Sequence, residues 1–288
     1  MATEYHMEKA KDRTHLIREC VENARITYAE GLSAADSEDY NRPRDRKRFL
    51  EEFLNPMIEA GKIGNGVKTK FDDRKFRFDS AKVKSSHYDP VNLFGYPSEI
   101  ELKLGITTYQ ECATHRKRTE KEIKELRHLG TEKFKNKYAF FSRGCAICVV
   151  PITSEGAIFV GKRKVPDEDS GFANQLATVN GWIDYKENLK NIDFTNDALR
   201  EAREEYGIDE KKIKELIFAG VFSTPALSDT DFVYIAQTKL PNKFFSNGHY
   251  KQIRQDDEHN GLIKIASYKD MQELLATGKF LNSQLFRH

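Results

Sequence analysis

The chain of 288 residues is short of cysteine, proline and tryptophan, and it carries almost no net charge. Four cysteines, Cys20, Cys112, Cys145 and Cys148, are too few and too scattered for a disulfide scaffold at this length, so a reducing, cytoplasmic setting is expected. Cys145 and Cys148 form a CxxC, but no second pair completes a tetrahedral zinc site, and the surrounding run CAICVVPI reads as a strand carrying buried thiols. The formal charge of +2, from 47 basic against 45 acidic residues, argues against a protein devoted to nucleic acid. No apolar run approaches membrane-spanning length, and the opening MATEYHMEKAKDR lacks the apolar centre of a secretory signal, so neither anchor nor leader is expected. What is present is 39% hydrophobic content, enough for one large core or two smaller ones.

The most informative stretch lies at 181–208, GWIDYKENLKNIDFTNDALREAREEYGI. At about 100° per residue, Ala198, Leu199, Ala202 and Tyr206 form one apolar arc of a helix that Gly207 terminates. Glu201, Glu204 and Glu205 stand beside that arc at i, i+3 and i+4, which places an acidic face at the rim of the core. Like charges so spaced oppose the helix by about 0.2 to 0.5 kcal/mol per pair, and Arg200 and Arg203 offset only part of this. A hard divalent cation, Mg²⁺ or Mn²⁺, would offset it fully while also binding phosphate oxygens. The plain alternative is a solvated surface helix, since REAREE by itself is a common pattern.

The wider context resembles the Nudix box, G-x5-E-x7-R-E-U-x-E-E-x-G-U with U aliphatic. Gly181, Glu187, Arg200, Glu201, Glu204, Glu205, Gly207 and Ile208 occupy its fixed positions, and Ala202 is a small substitute at the first U. Twelve residues separate Glu187 from Arg200 where the pattern has seven, an insertion of five that a loop absorbs at little entropic cost. The resemblance implies a Nudix-type α/β/α sandwich with a mixed sheet. It implies Glu204 and Glu205 as principal metal ligands, Glu201 as a further ligand or base, Arg200 as its orienting partner, the Gly181 carbonyl as a backbone ligand and Glu187 as a supporting carboxylate. The implied activity is metal-dependent hydrolysis of the pyrophosphate in a nucleoside diphosphate linked to another moiety.

Along the chain, a break near 130–138 suggests an N-terminal α+β accessory region, 1–135, and a hydrolase domain, 136–288. Helices are expected at 8–30, 43–60 and 108–129, with a strand pair at 67–84 turning at Asp72-Asp73. Beyond the break, strands at 144–152, 157–162, 216–223, 232–237 and 261–265 surround the box helix, and a helix at 268–277 closes the order. The segment KTKFDDRKFRFDSAKVK interleaves Phe71, Phe76 and Phe78 with lysine and arginine. Such a pattern can bind nucleic acid, but it also fits a strand pair with phenylalanines inward and charges outward, the reading preferred here.

Asn65-Gly66, KFRFDS and 104–109 are similar to the region preceding the domain in UDP-glucose-type Nudix pyrophosphatases, whereas 223–229, STPALSD, resembles a segment following the box in ADP-ribose pyrophosphatases. The expected substrate is therefore a small molecule, a nucleotide sugar or ADP-ribose. Capped RNA, a dinucleotide or a ligand-sensing role without turnover remain alternatives, and a homodimer is open. An acidic ligand or base after the box is sought in Asp256-Asp257-Glu258, with Glu258 preferred. His249 and His259 flank that loop as proton-transfer candidates, although each reads more simply as a surface histidine. Trp182 is a candidate for stacking on a base or for core packing, and Arg143 and Arg163 are candidates for phosphate contact.

Overall fold

The computed structural model describes residues 50–70, 72–89, 94–164, 175–185, 194–223, 229–248, 250–254 and 259–277. The helix expected at 8–30 lies outside these residues. A π-helical turn, Leu50–Leu54, runs into the short helix α1 (Asn55–Glu59), followed by two long strands, β1 (Arg74–Asp89) and β2 (Phe94–Thr108), paired antiparallel from Arg74↔Thr108 to Asp89↔Phe94. The strand pair expected to turn at Asp72-Asp73 is thus replaced by a longer hairpin. The aspartates instead receive the start of the next helix, α2 (Tyr109–Arg116): the Asp73 carbonyl accepts the Tyr109 N–H at 3.0 Å and Asp72 Oδ1 accepts the Gln110 N–H at 3.3 Å. A helix was expected to run unbroken to Leu129, but a second helix, α3 (Glu120–Phe134), begins afresh at Thr119. Thr119 and Glu122 form a reciprocal capping box, with the Thr119 N–H donating to Glu122 Oε2 at 2.7 Å. The Thr-x-x-Glu signature outweighs the continuity of charge pattern around it.

Beyond α3 come β3 (Cys145–Ile152), β4 (Ile158–Arg163), β5 (Leu176–Ala177), β6 (Val179–Trp182), helix α4 (Thr195–Tyr206), β7 (Ile213–Ser223) and β8 (Thr230–Thr238). Short helices α5 (Asn242–Ser246) and α6 (Tyr250–Ile253), strand β9 (His259–Ile265) and helix α7 (Tyr268–Ala276) follow. The strands form a seven-stranded mixed sheet with a backbone order β5-β4-β3-β8-β7, in which β6 also pairs with β3 and β9 with β4. Among the described strands, only β3 and β8 run parallel, in register from Cys145↔Thr230 to Ile152↔Gln237.

Period-two alternation sends side chains to both faces of this sheet. Cys145, Ile147 and Val149 of β3 join Phe232, Tyr234 and Ala236 of β8 on the face covered by Ala198, Ala202 and Tyr206 of α4. Val150, Ile152, Val233 and Ile235 point the other way, towards Tyr268, Met271 and Leu274 of α7. Helices on both faces make the α/β/α layering expected from the sequence. The same alternation settles the CxxC, because residues three apart on a strand face opposite sides. Cys145 enters the α4 core while Cys148 lies on the other face, its Sγ 2.8 Å from Thr178 Oγ1 and its thiol pushed up to about 12 by burial. Among the described residues, no helix is long and apolar enough to cross a membrane.

The base of the β1–β2 hairpin is stitched into this layered body. Phe78 N–H donates to the Arg143 carbonyl at 2.8 Å, Phe76 N–H to Ile183 at 3.3 Å and Tyr185 N–H to Arg74 at 3.0 Å. Phe76 and Phe78 share the α4 core with Ile147 and Phe232, the inward placement expected of them. Charges were expected outward, but Lys75 and Arg77 are buried as well, Lys75 pairing with Asp184 and Arg77 donating to the Ile106 carbonyl at 3.3 Å. At its start, β1 has β2 at one edge and 143–144 and 183–185 at the other, and Lys75 to Phe78 are buried on both of its faces.

Candidate active site

Helix α4 ends as its sequence dictates. Gly207 takes φ 65°, a left-handed conformation that costs glycine nothing, and the Gly207 and Ile208 N–H groups close on the Arg203 and Ala202 carbonyls at 2.9 and 3.1 Å. The acidic face differs from expectation. Rather than lining a rim, Glu201 is 7% exposed and Glu205 2%, and only Glu204 is half-buried. Glu201 and Glu205, one turn apart, share the row of the helix that meets β6. There Glu205 Oε1 accepts the Asn180 backbone N–H at 2.9 Å, and Glu205 Oε2 lies 2.7 Å from His259 Nε2.

Glu201 rests against Gly181, where an added Cβ would overlap its carboxylate. Glycine is needed at 181 for that approach and not for its backbone angle. The carboxylate is the far end of a flexible chain, so Gly181→Ala is expected to displace Glu201 cheaply. Turnover should fall about tenfold or more while the melting temperature moves by only a few degrees. Unchanged turnover in that variant would show that the Gly181–Glu201 contact has no part in function.

One guanidinium holds two of the three glutamates. Arg200 Nη2 is 2.6 Å from Glu201 Oε1, its Nη1 is 2.8 Å from Glu204 Oε2, and Asp197 Oδ1 stands 3.8 Å from Nη2. Burial pushes the Glu201 carboxyl up to about 7 against the opposing pull of Arg200, and the charges of Glu205 and Glu204 add to the rise. The donors are hard oxygens, and Arg200 already stands as a cation shared by Glu201 and Glu204, so the chemistry of the set fits Mg²⁺ or Mn²⁺. Among the described residues, however, no three His, Cys, Asp or Glu side chains are grouped so as to hold one ion. The expected ligand set of Gly181, Glu201, Glu204 and Glu205 is gathered on one helical turn and the facing strand, with Glu205 turned towards Asn180 and His259.

Glu187 and Glu258, together with Asp256, Asp257 and His249, lie outside the described residues. Trp182 ends β6 half-buried, with the Arg116 guanidinium 4.5 Å from its ring centroid and Arg116 Nε 3.2 Å from Asp229 Oδ2. Arg143 is buried at the hairpin footing with φ 47°, its guanidinium over the rings of Phe78 and Tyr138 at 5.1 and 5.5 Å. Arg163 ends β4 and is the cross-strand partner of His259.

His259 is not the surface histidine its polar neighbourhood suggested: it is fully buried against Glu205. Two further polar residues of the site escaped the sequence. Asn180 supplies its N–H to Glu205 and its Nδ2 to Asp231 Oδ1 at 3.3 Å, and Asp231 is buried. The one local hint was the position of Asn180, immediately before the glycine of the box.

Neither a protein-family model nor a curated protein sequence matches the chain. Among solved structures it is similar to the Deinococcus radiodurans protein DR0079, at 18% identity over 51% of this chain and 83% of that one, with a TM-score of 0.37. It is also similar to an ADP compounds hydrolase, at 12% identity over 78% and 88% with a TM-score of 0.34, and to a Nudix hydrolase from Nitrosomonas europaea, at 14% identity over 50% and 68% with a TM-score of 0.33.

Proposed function

We propose that the chain is a Nudix pyrophosphatase, with residues 136–288 as the hydrolase domain and 1–135 as an accessory region. Its substrate is a nucleoside diphosphate linked to a second moiety, a nucleotide sugar or ADP-ribose. The observation that carries this reading is the meeting of Gly181 with Glu201 beside Arg200, Glu204 and Glu205, because the glycine reaches the box helix although the loop between them is longer than the pattern. Glu201, Glu204, Glu205 and the Gly181 carbonyl are the groups that would hold Mg²⁺ or Mn²⁺. An ion held there would neutralise charge at the diphosphate and make the attacking water more acidic. Arg200 orients Glu201 and Glu204. Glu201 serves either as a further ligand or as the base that takes the proton of a water as it attacks one phosphorus in line and the bridging oxygen leaves with the other.

The test is hydrolysis of a panel of nucleotide sugars, ADP-ribose, a dinucleotide and capped RNA, each with Mg²⁺, Mn²⁺ or EDTA. Turnover of a nucleotide sugar or ADP-ribose that EDTA abolishes is expected, with capped RNA a poor substrate. Efficient cleavage of capped RNA alone would sink the small-substrate reading. The exposed basic residues before and at the start of β1 sharpen the distinction. Neutralising Lys68, Lys70 and Arg74 together should change kcat/KM on the small substrate by less than about tenfold, roughly 1.4 kcal/mol. A nucleic-acid groove would lose salt dependence in the same variant. Lys75 is left intact because it is buried against Asp184.

A further inference from the structure

We propose that His259 is a positioning residue of this site: its imidazole, seated over Gly161, fixes Glu205 in the orientation in which that carboxylate serves a divalent cation. The inference rests on the metal-dependent reading above. His259 opens β9, and a register shift between Lys162 and Arg163 of β4 makes Arg163 its cross-strand partner. The ring reaches over Gly161, where an added Cβ would overlap the imidazole. From a third side Tyr206 meets the ring edge-on, with centroids 5.6 Å apart, and the Tyr206 hydroxyl donates to the Phe159 carbonyl of the same strand at 3.3 Å. Backbone, aromatic ring and carboxylate thus define one place for the imidazole.

That place decides the geometry of Glu205. One of its oxygens accepts the Asn180 N–H and the other meets His259 Nε2, so rotation of the carboxylate breaks both contacts at once. In the Nε2–H tautomer the imidazole donates. A carboxylate offers about four acceptor sites, so these two contacts do not by themselves saturate it. A buried imidazole–carboxylate pair is poor value as a stability device, because desolvation offsets most of its attraction. Orientation of a ligand from behind is the use that such a pair serves at metal sites, where removing it costs about 10- to 100-fold in affinity or activity.

The experiment uses the full chain as wild type, His259→Ala, His259→Gln and Gly161→Ala. Mn²⁺ dissociation constants are measured by titration calorimetry on the resting protein, beside kcat and KM on the preferred small substrate. His259→Ala is expected to weaken Mn²⁺ binding about 10- to 100-fold and to lower kcat with KM little changed. His259→Gln, whose amide nitrogen reaches the Nε2 position, should recover most of the loss. Gly161→Ala, which alters neither partner chemically, should move both quantities in the same direction as His259→Ala, and it carries the test if the alanine variant fails to fold. Wild-type Mn²⁺ affinity in His259→Ala, or in Gly161→Ala where that variant carries the test, overturns the assignment, as does a glutamine variant no better than alanine. Wild-type protein that binds no Mn²⁺ at all overturns the metal-dependent reading itself, and this assignment with it.

Discussion

Glu204→Gln is expected to lower kcat about 1,000-fold, roughly 4 kcal/mol of activation free energy, while leaving the fold intact. Glu204 is the only half-buried member of the three glutamates, and glutamine preserves its size and an acceptor for Arg200 Nη1. What is lost is a negative charge next to Glu201, at a position the proposed chemistry needs for a cation. Structurally the change is mild, because removing one of three like charges on adjacent turns relieves repulsion of a few tenths of a kcal/mol. Turnover with Mg²⁺, the Mn²⁺ dissociation constant and a thermal melt in EDTA should therefore separate, the first two collapsing and the third holding or rising slightly. Near-wild-type turnover would remove Glu204 from the metal assignment.

The second large effect is on stability and depends on pH. The Glu201 carboxyl, ordinarily near 4.5, sits at about 7 in the folded chain because burial disfavours its charged form. A raised carboxyl pKa means that the folded state keeps a proton that the unfolded state has released, so stability falls as pH rises from about 4.5 to about 7. At 1.36 kcal/mol per unit, the full cost above pH 7 is about 3 kcal/mol. Glu201→Gln does not titrate. In EDTA the variant should match the wild type near pH 4.5 and exceed it by up to about 3 kcal/mol at pH 8, a difference of roughly 6 to 12 °C in Tm. The comparison must be a difference, because His115, whose pKa burial lowers to about 3, titrates in the unfolded state of both proteins and adds its own acid-side slope. Saturating Mg²⁺ should raise the Tm of the wild type more than that of the variant. A stability difference that does not change between pH 5 and pH 8 would contradict the burial of Glu201 as a charged group.

The elements legible in the sequence are those whose information is local. Helix α4 follows from four apolar residues at helical spacing and a terminating glycine, and β3, β4, β8, β9 and α7 follow from alternation or periodicity within a few residues. The failures share a cause too. Asp72-Asp73 carries the chemistry of a turn, but a helix start arriving from more than thirty residues away claims those acceptors, and β1 pairs with a strand beyond any local signal. Strands β5 and β6 are too short to show a period of their own.

For the candidate site, the sequence by itself determined which residues share one helical turn: Arg200, Glu201, Glu204 and Glu205 are bound together by the geometry of a helix, and Gly181 by the pattern it shares with them. Only the tertiary structure decided which of those carboxylates are buried, and which partners they meet. His259 and Glu205 are 54 residues apart, Gly161 and His259 nearly a hundred, and Asn180 contributes through its backbone, which has the same chemistry whatever the residue. A buried glutamate and an exposed one are the same letter. The difference between them is made by the strands that close over the helix, and strand pairing between distant segments is fixed by the packing of the whole sheet and not by the composition of either segment.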